Sequence, residues 1–187
     1  NPQVDQERGD RMQRLVAGRL RRIPLQHLLG TVDFMGYELA VGPQALIPRP
    51  ETEQLVETVI DTVRSHRRFF GMNNVRILDI GTGSGNISIV LTKVLNPGTI
   101  CALDLSAEAL ALAAYNARRQ GVADRICFVH EDIQRFSGEG YGPFDVIVSN
   151  PPYIPSAEIA QLEPEVLHDP LSALDGGADG LAVIRAV

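Results

Sequence analysis

Four consecutive residues, Asn150-Pro151-Pro152-Tyr153, close an apolar run at Val146, Ile147 and Val148. A short apolar run bounded by turn residues reads as a strand buried on both faces. Each proline fixes its own φ and biases the residue before it toward extended backbone. Asn150 is therefore expected at the carboxyl end of a central strand, where open α/β sheets hold their ligands. Its amide, the Pro151 carbonyl and the Tyr153 ring would form a polar notch with one flat wall, a shape suited to a planar –NH2 group. An –NH2 conjugated to a carbonyl or an aromatic ring is a poor nucleophile. Methylating it needs the lone pair aimed at the methyl donor from ~3–3.5 Å. The Asn150 side-chain oxygen and the Pro151 carbonyl can each accept one N–H, in bonds that strengthen as positive charge builds on nitrogen. Tyr153 can stack on a flat acceptor and add a cation–π contribution. The proton can leave after transfer, so no general base is required. The bland alternative is a Pro-Pro turn that merely ends a strand.

A second group, Asp79-Ile80-Gly81-Thr82-Gly83-Ser84-Gly85, joins an apolar run to a helical pattern. Glycines allow a tight turn and close approach of backbone to a ligand. The spacing is G-x-G-x-G behind an acid, and not the G-x-G-x-x-G of dinucleotide sites. Asp79 would welcome a cationic amino group and repel a pyrophosphate, so S-adenosylmethionine fits better than NAD; a glycine turn without a ligand is the plain alternative. Asp104 lies roughly 20 residues further on, at the place of an acid that binds ribose hydroxyls. Asp132 could accept from an adenine amino group, with Ile133 packing on the ring. Either acid alone reads as a solvated loop residue, but three acids at three successive strand ends converge on one cleft. His27, His66, His130 and His168 are dispersed and have no metal-ligand spacing with the cysteines, so no metal site is expected.

These groups need a frame to position them. Residues 76–80, 99–103, 125–129 and the stretch ending at Asn150 read as strands, alternating with helices from Gly85 or Asn86 to Leu95 and from Ser106 to Gln120. Ser106 is a fitting N-cap and Gly121 a fitting C′ residue. A helical turn is expected at 132–136. This rhythm predicts an α/β fold with a doubly wound, mostly parallel sheet, whose last strand has an unpaired edge. Upstream, residues 32–41 read as two short strands around Met35-Gly36. Pro50 opens a helix to about Ser65, with Glu51 and Glu53 at its positive end and Leu55, Val56, Val59, Ile60 and Val63 as its buried stripe. Residues 66–71 should close that helix. Residues 5–22 read as an amphipathic helix with Met12, Leu15, Val16 and Leu20 among six arginines. That arginine run is either a solvated face or a patch for RNA or a ribosome-associated partner. After Tyr153 the chain is loop-like, with a short helix near 156–162 and an apolar helix beginning at Asp179.

The 187 residues carry a net charge of −6 with 44% hydrophobic content, which fits a globular domain with an appendage and gives no bulk basic face for nucleic acid. No apolar run approaches the ~20 residues of a membrane span, and no signal-peptide start is present. Cys101 and Cys127 lie in strand-like runs and read as reduced, buried thiols in a reducing compartment.

The glycine loop, Asp104 and Asn150 to Tyr153 resemble the class I S-adenosylmethionine-dependent methyltransferases that act on exocyclic or amide nitrogens. Residues 46–53 (LIPRPETE), Glu163-Pro164 and residues 173–180 (ALDGGADG) narrow the resemblance to the HemK/PrmC family, which methylates the glutamine of the Gly-Gly-Gln motif in peptide chain release factors. It covers the chain from about Arg22 onward. The resemblance implies a Rossmann-like fold, cofactor contacts at Gly81 to Gly85, Asp104, Ile133 and Asn150, and glutamine binding at Asn150 to Tyr153. It implies a release factor as partner and a cytoplasmic setting, or a mitochondrion or plastid in a eukaryote. Some relatives have tryptophan where Ile133 stands. The family also has a larger helical N-terminal domain and further C-terminal strands. Residues 1–24 are accordingly expected to be a remnant of that helical domain, 25–50 a hairpin and linker, and 51–187 a shortened cofactor-binding domain. The alternatives are a methyltransferase for amino groups of nucleic-acid bases, and a non-catalytic cofactor-binding or partner-binding module.

Overall fold

A computed structural model describes residues 6–66, 69 and 74–187 of the chain. Strands β1 (Thr31–Phe34) and β2 (Tyr37–Ala40) form an antiparallel hairpin, turned at Met35 and Gly36. Strands β3 (Arg76–Ile80), β4 (Thr99–Asp104), β5 (Ile126–His130) and β6 (Val146–Ser149) form a parallel sheet in the order β5-β4-β3-β6. Helices α1 (Gln6–Leu20), α2 (Leu25–Leu29) and α3 (Pro50–Ser65) precede the sheet. Helices α4 (Asn86–Leu95) and α5 (Ala107–Arg119) connect its first three strands.

Burial follows the periodicities. Val56, Val59, Ile60 and Val63 of α3 join the buried face of α4, together with Ile77, Ile100, Ala102 and Val148, in the main core. Phe34 and Leu39 of the hairpin lie in the same cluster, so the hairpin is part of this core. Successive strand residues face opposite sides. Leu78, Ile80, Cys101, Leu103 and Val129 accordingly form a second cluster, covered by Ile133, Phe136 and Phe144 from the β5–β6 connection. Pro50 takes the first helical position of α3, and Ser106 Oγ caps α5 by accepting from Ala109 N at 3.1 Å. Glu53 lies in the first turn of α3 as expected, and it also accepts from Met35 N at 2.9 Å, which ties α3 to the hairpin turn.

Three expectations need correction. Strand β6 has the expected unpaired edge among the described residues, but it is not buried on both faces: Ile147 is 53% exposed because nothing described covers it on the face it shares with Leu78. The stripe on α1 is not buried: Met12, Val16 and Leu20 are exposed, and Gly18 is the helix's buried residue. Its C-terminal end is instead tied down by charge, Arg19 and Arg22 pairing with Glu165 and Arg22 with Glu163. Residues 179–187 form single turns rather than a helix, with Arg185 N donating to Leu181 O and the Asp179 carboxylate held by Leu181 N and the Arg185 guanidinium. The expected helix start at Asp5 and much of the closing segment at 66–71 lie outside the described residues, although His66 N does donate to Thr62 O.

Candidate active site

The carboxyl ends of β5, β4, β3 and β6 stand side by side, so residues just beyond them form a row of roughly 14 Å at about 4.8 Å per strand. Strand order reverses at β3, which is where open α/β sheets form their binding crevice. A cavity of about 470 Å³ lies there, in the range of small-molecule sites. Gly81, Thr82, Gly83 and Ser84 line it from the turn after β3, Asp104 from the end of β4, Asp132 and Ile133 from after β5, and Asn150 and Pro152 from after β6. One cavity thus brings the glycine turn and the asparagine together.

Each group is held by the fold. Gly81 N and Thr82 N both donate to Leu103 O, at 2.8 and 3.0 Å, which fastens the turn to the end of β4. Asp104 accepts from Gly83 N at 2.8 Å and from Ser106 N at 2.9 Å, one bond per carboxylate oxygen, and each oxygen keeps a lone pair for a ligand hydroxyl. Asp132 accepts from Gln134 N with one oxygen only. Ser84 Oγ is buried against the cavity without a hydrogen-bond partner.

Four residues singled out in the sequence do not line the cavity. Asp79 is fully buried behind the turn, its Oδ2 accepting from Thr82 Oγ1 at 2.7 Å and from Ser88 Oγ at 2.6 Å, so the carboxylate braces the turn against α4 and is closed off from the cavity. Its other oxygen is unpartnered, and burial pushes the carboxyl up to about 6. Gly85 serves packing: a Cβ there would sit 3.0 Å from Ala113 Cβ and 3.2 Å from its Cα, and φ is +83°. Pro151 is half-buried beside the cavity lining, and its carbonyl accepts no hydrogen bond among the described residues. Tyr153 is 64% exposed, so its ring forms no wall of the cavity in this structure.

Asn150 Nδ2 donates to Thr52 Oγ1 at 3.2 Å, while Oδ1 accepts no hydrogen bond among the described residues. The chain after it is pinned by residues 174–177: Ile154 N donates to Leu174 O, Gly176 N to Ile154 O, and Ser156 Oγ to Asp175 Oδ1 at 2.6 Å.

Sequence reasoning assigned no site role to several residues found here. Pro48, Arg49 and Thr52 line the cavity from the segment entering α3, and Pro170 and Ala173 line it from downstream. Asp169 clamps the two segments, accepting from Ile47 N at 3.2 Å and pairing with Arg49 at 2.5 Å. Its burial outweighs the arginine and raises the carboxyl above its usual range. Asn116 is a buried strut, accepting from Ala40 N and donating to Ala40 O and to Ser84 O, which ties the glycine turn to the hairpin. The available signal for Asn116 was a polar residue inside the apolar stripe of α5, among Ala109, Ala113 and Ala117.

No cluster among the described residues could hold a metal ion. Cys101 and Cys127 are free thiols paired in register across β4 and β5, and burial pushes Cys101 up to about 12. Among the described residues no helix is long and apolar enough to cross a membrane.

Along the sheet the row runs from Asp132 and Ile133 through Asp104 and the glycine turn to Asn150, and it offers a small molecule two carboxylates, an apolar face and the unpartnered Ser84 hydroxyl. A Rossmann-like sheet with such a cavity defines a class I methyltransferase fold, and residues 72–175 match the family described as "Methyltransferase domain", to which the chain belongs. Relatives narrow the comparison. The chain is 45% identical over 166 residues to a protein named "Release factor glutamine methyltransferase" from Gloeobacter violaceus, an alignment covering 88% of this chain and 55% of that protein. It is 40% identical to "MTRF1L release factor glutamine methyltransferase" from Homo sapiens, covering 92% of this chain and 53% of the relative. The chain spans about half the length of the curated relatives it matches. Among solved structures, the hMettl16 catalytic domain in complex with MAT2A 3'UTR hairpin 1 superposes with a TM-score of 0.60 at 16% identity, covering 98% of this chain and 61% of that one. "Human methyltransferase 10 domain containing protein" gives 0.52 at 19% identity, covering 82% and 65%. These two likenesses concern the fold.

Proposed function

We propose that this chain is the catalytic part of an enzyme that transfers a methyl group from S-adenosylmethionine to the side-chain amide nitrogen of the glutamine in the Gly-Gly-Gln motif of peptide chain release factors. The observation that carries this reading is the single cavity lined both by the glycine turn and by Asn150, whose Oδ1 is uncommitted. The names of the relatives supply the substrate. Bound S-adenosylmethionine supplies an electrophilic methyl on a sulfonium, which becomes a thioether when the S–C bond breaks.

The residues of the chain prepare the acceptor. Asn150 Oδ1 and the Pro151 carbonyl are two uncommitted acceptors on consecutive residues, suited to the two hydrogens of one –NH2. Held by both, the amide presents its lone pair to the methyl, and the bonds tighten as nitrogen becomes cationic. The extra proton then leaves to water. The Tyr153 ring needs to swing inward to stack on the glutamine, so its role is tied to acceptor binding. Asp104 binds the ribose, Asp132 and Ile133 the adenine, and Gly81 to Ser84 the amino-acid portion. The assignment of residues 1–24 to substrate recognition, 25–50 to a hairpin and linker, and 51–187 to the cofactor-binding unit belongs to the same proposal. So does a reducing compartment, a bacterial cytosol or a eukaryotic organelle, which suits two free thiols facing each other.

The test gives the intact protein labelled cofactor together with a release factor whose Gly-Gly-Gln glutamine is present or replaced, and with an oligonucleotide in parallel. Label on the intact release factor alone is the expected result; label on the oligonucleotide alone refutes the substrate. Asn150→Ala should lower kcat ~100-fold or more, as for loss of a group aimed at transition-state charge, with cofactor affinity changed much less. Unchanged kcat would remove Asn150 from the acceptor site.

A further inference from the structure

We propose that Thr52 is a positioning residue for the methyl acceptor, acting through Asn150; the inference rests on the methyl-transfer reading above and deepens it. A carboxamide has two ends of nearly equal shape and opposite hydrogen-bonding sense. The acceptor site needs the oxygen end of Asn150 facing the substrate –NH2, because the nitrogen end would set donor against donor. Sterics alone choose poorly between the two orientations. A hydrogen bond at one end decides it.

Thr52 supplies that bond. Its Oγ1 lies 3.2 Å from Asn150 Nδ2 and accepts from it, which leaves Oδ1 as the end offered to the substrate. It is the one side-chain hydrogen bond Asn150 makes among the described residues. Both residues line the same cavity. Thr52 is itself held firmly: it is 5% exposed, sits in the first turn of α3, and its N–H donates to Arg49 O at 3.0 Å. The segment before it is clamped by Asp169 through Ile47 N and the Arg49 guanidinium. The hydroxyl therefore stands on a rigid element, whereas the Asn150 side chain, just past the end of β6, has no other hydrogen bond among the described residues to orient it. The asymmetry gives the direction of control: helix α3 sets the amide.

Valine has the shape of threonine without the acceptor, and serine has the acceptor without the methyl. In the intact protein, Thr52→Val should lower kcat for the release factor roughly tenfold, the scale of one lost hydrogen bond at a positioned group. Cofactor affinity by calorimetry should stay within about twofold. Thr52→Ser should retain most of the activity. A fall in kcat of less than about threefold in T52V, or equal losses in T52V and T52S, overturns the inference. A parallel loss of cofactor affinity and thermal stability in T52V also overturns it, since that is the signature of a packing role. Nitrogen-15 NMR of the Asn150 side-chain amide gives a readout that needs neither turnover nor a folded variant. In the wild-type protein one amide proton should exchange with solvent more slowly than the other. Two equally fast protons would refute the hydrogen bond. Absence of methyl transfer by the wild type to any release factor would instead refute the proposed function, leaving this NMR result to judge Thr52 separately.

Discussion

Replacing Asp79 with asparagine removes a charge that the fold has enclosed with no cation among its hydrogen-bond partners. The carboxyl is fully buried, two hydroxyls engage one oxygen, and the other oxygen has no partner. Burial raises its pKa from the ordinary 3.8 to about 6; the Ser88 and Thr82 hydroxyls oppose the rise and nearby Asp104 adds to it. At about 1.4 kcal/mol per pH unit, that difference is worth about 3 kcal/mol. The direction follows from linkage. Below about pH 4 the group is protonated in both the folded and the unfolded chain, and the stability it contributes is fully present. As pH rises toward 6 the unfolded chain releases the proton and the folded chain keeps it, so stability falls. Above about 6 both states are ionised and the loss is complete. The comparison of Asp79→Asn with wild type isolates this, because nearly every other titrating group is common to both. With its oxygen in the place of Oδ2, asparagine can still accept from both hydroxyls, and its –NH2, in the place of the unpartnered oxygen, adds an offset that does not depend on pH. Urea unfolding without cofactor, at intervals from pH 4 to pH 7, should show the variant gaining on wild type by about 2–2.5 kcal/mol over that range, because part of the difference is already spent at pH 4. A difference flat to within about 0.5 kcal/mol would mean that Asp79 is not enclosed as described, and the argument for its bracing role would fail with it.

Two further outcomes follow from the same geometry. Asp104→Ala should weaken S-adenosylmethionine binding by about 1–3 kcal/mol through lost charge-assisted bonds to the ribose; it also frees Gly83 N and Ser106 N, and unchanged affinity by calorimetry would remove Asp104 from the site. Gly180→Ala should destabilise the chain by roughly 1–2 kcal/mol from its left-handed backbone and a further 1–3 from overlap with the Tyr153 carbonyl oxygen. Because that overlap bears on the acceptor loop, kcat should fall while cofactor affinity holds. Equal stability in thermal unfolding would refute the close approach.

Much of this molecule is written in local pattern. The alternation of apolar runs with helical spacing, the caps at Pro50, Ser106 and Gly121, and the hairpin turn at Met35-Gly36 reflect backbone preferences and periodicities that act over a few residues, and they recur in the structure. The same holds for the strand-end location of the glycine turn, Asp104 and Asn150, since a turn must follow each strand. Burial was less legible. The stripe on α1 and the run at 146–148 have apolar residues at the right spacing, yet Val16 and Ile147 are exposed among the described residues, because burial needs a packing neighbour as well as spacing.

The contacts that aim the site were set by pairings distant in sequence. Thr52 reaches Asn150, Asp169 reaches Ile47 and Arg49, and Asn116 reaches Ala40 and Ser84, across 32 to 122 positions of chain. A hydrogen bond needs its partners within a few tenths of an ångström, a condition no residue-by-residue preference encodes. Residue identity thus announced an acid, a glycine turn and a carboxamide at neighbouring strand ends. Only the packing of α3 and the downstream loop against the sheet settled that Thr52 holds the nitrogen end of that carboxamide and that Asp79 stands behind the turn.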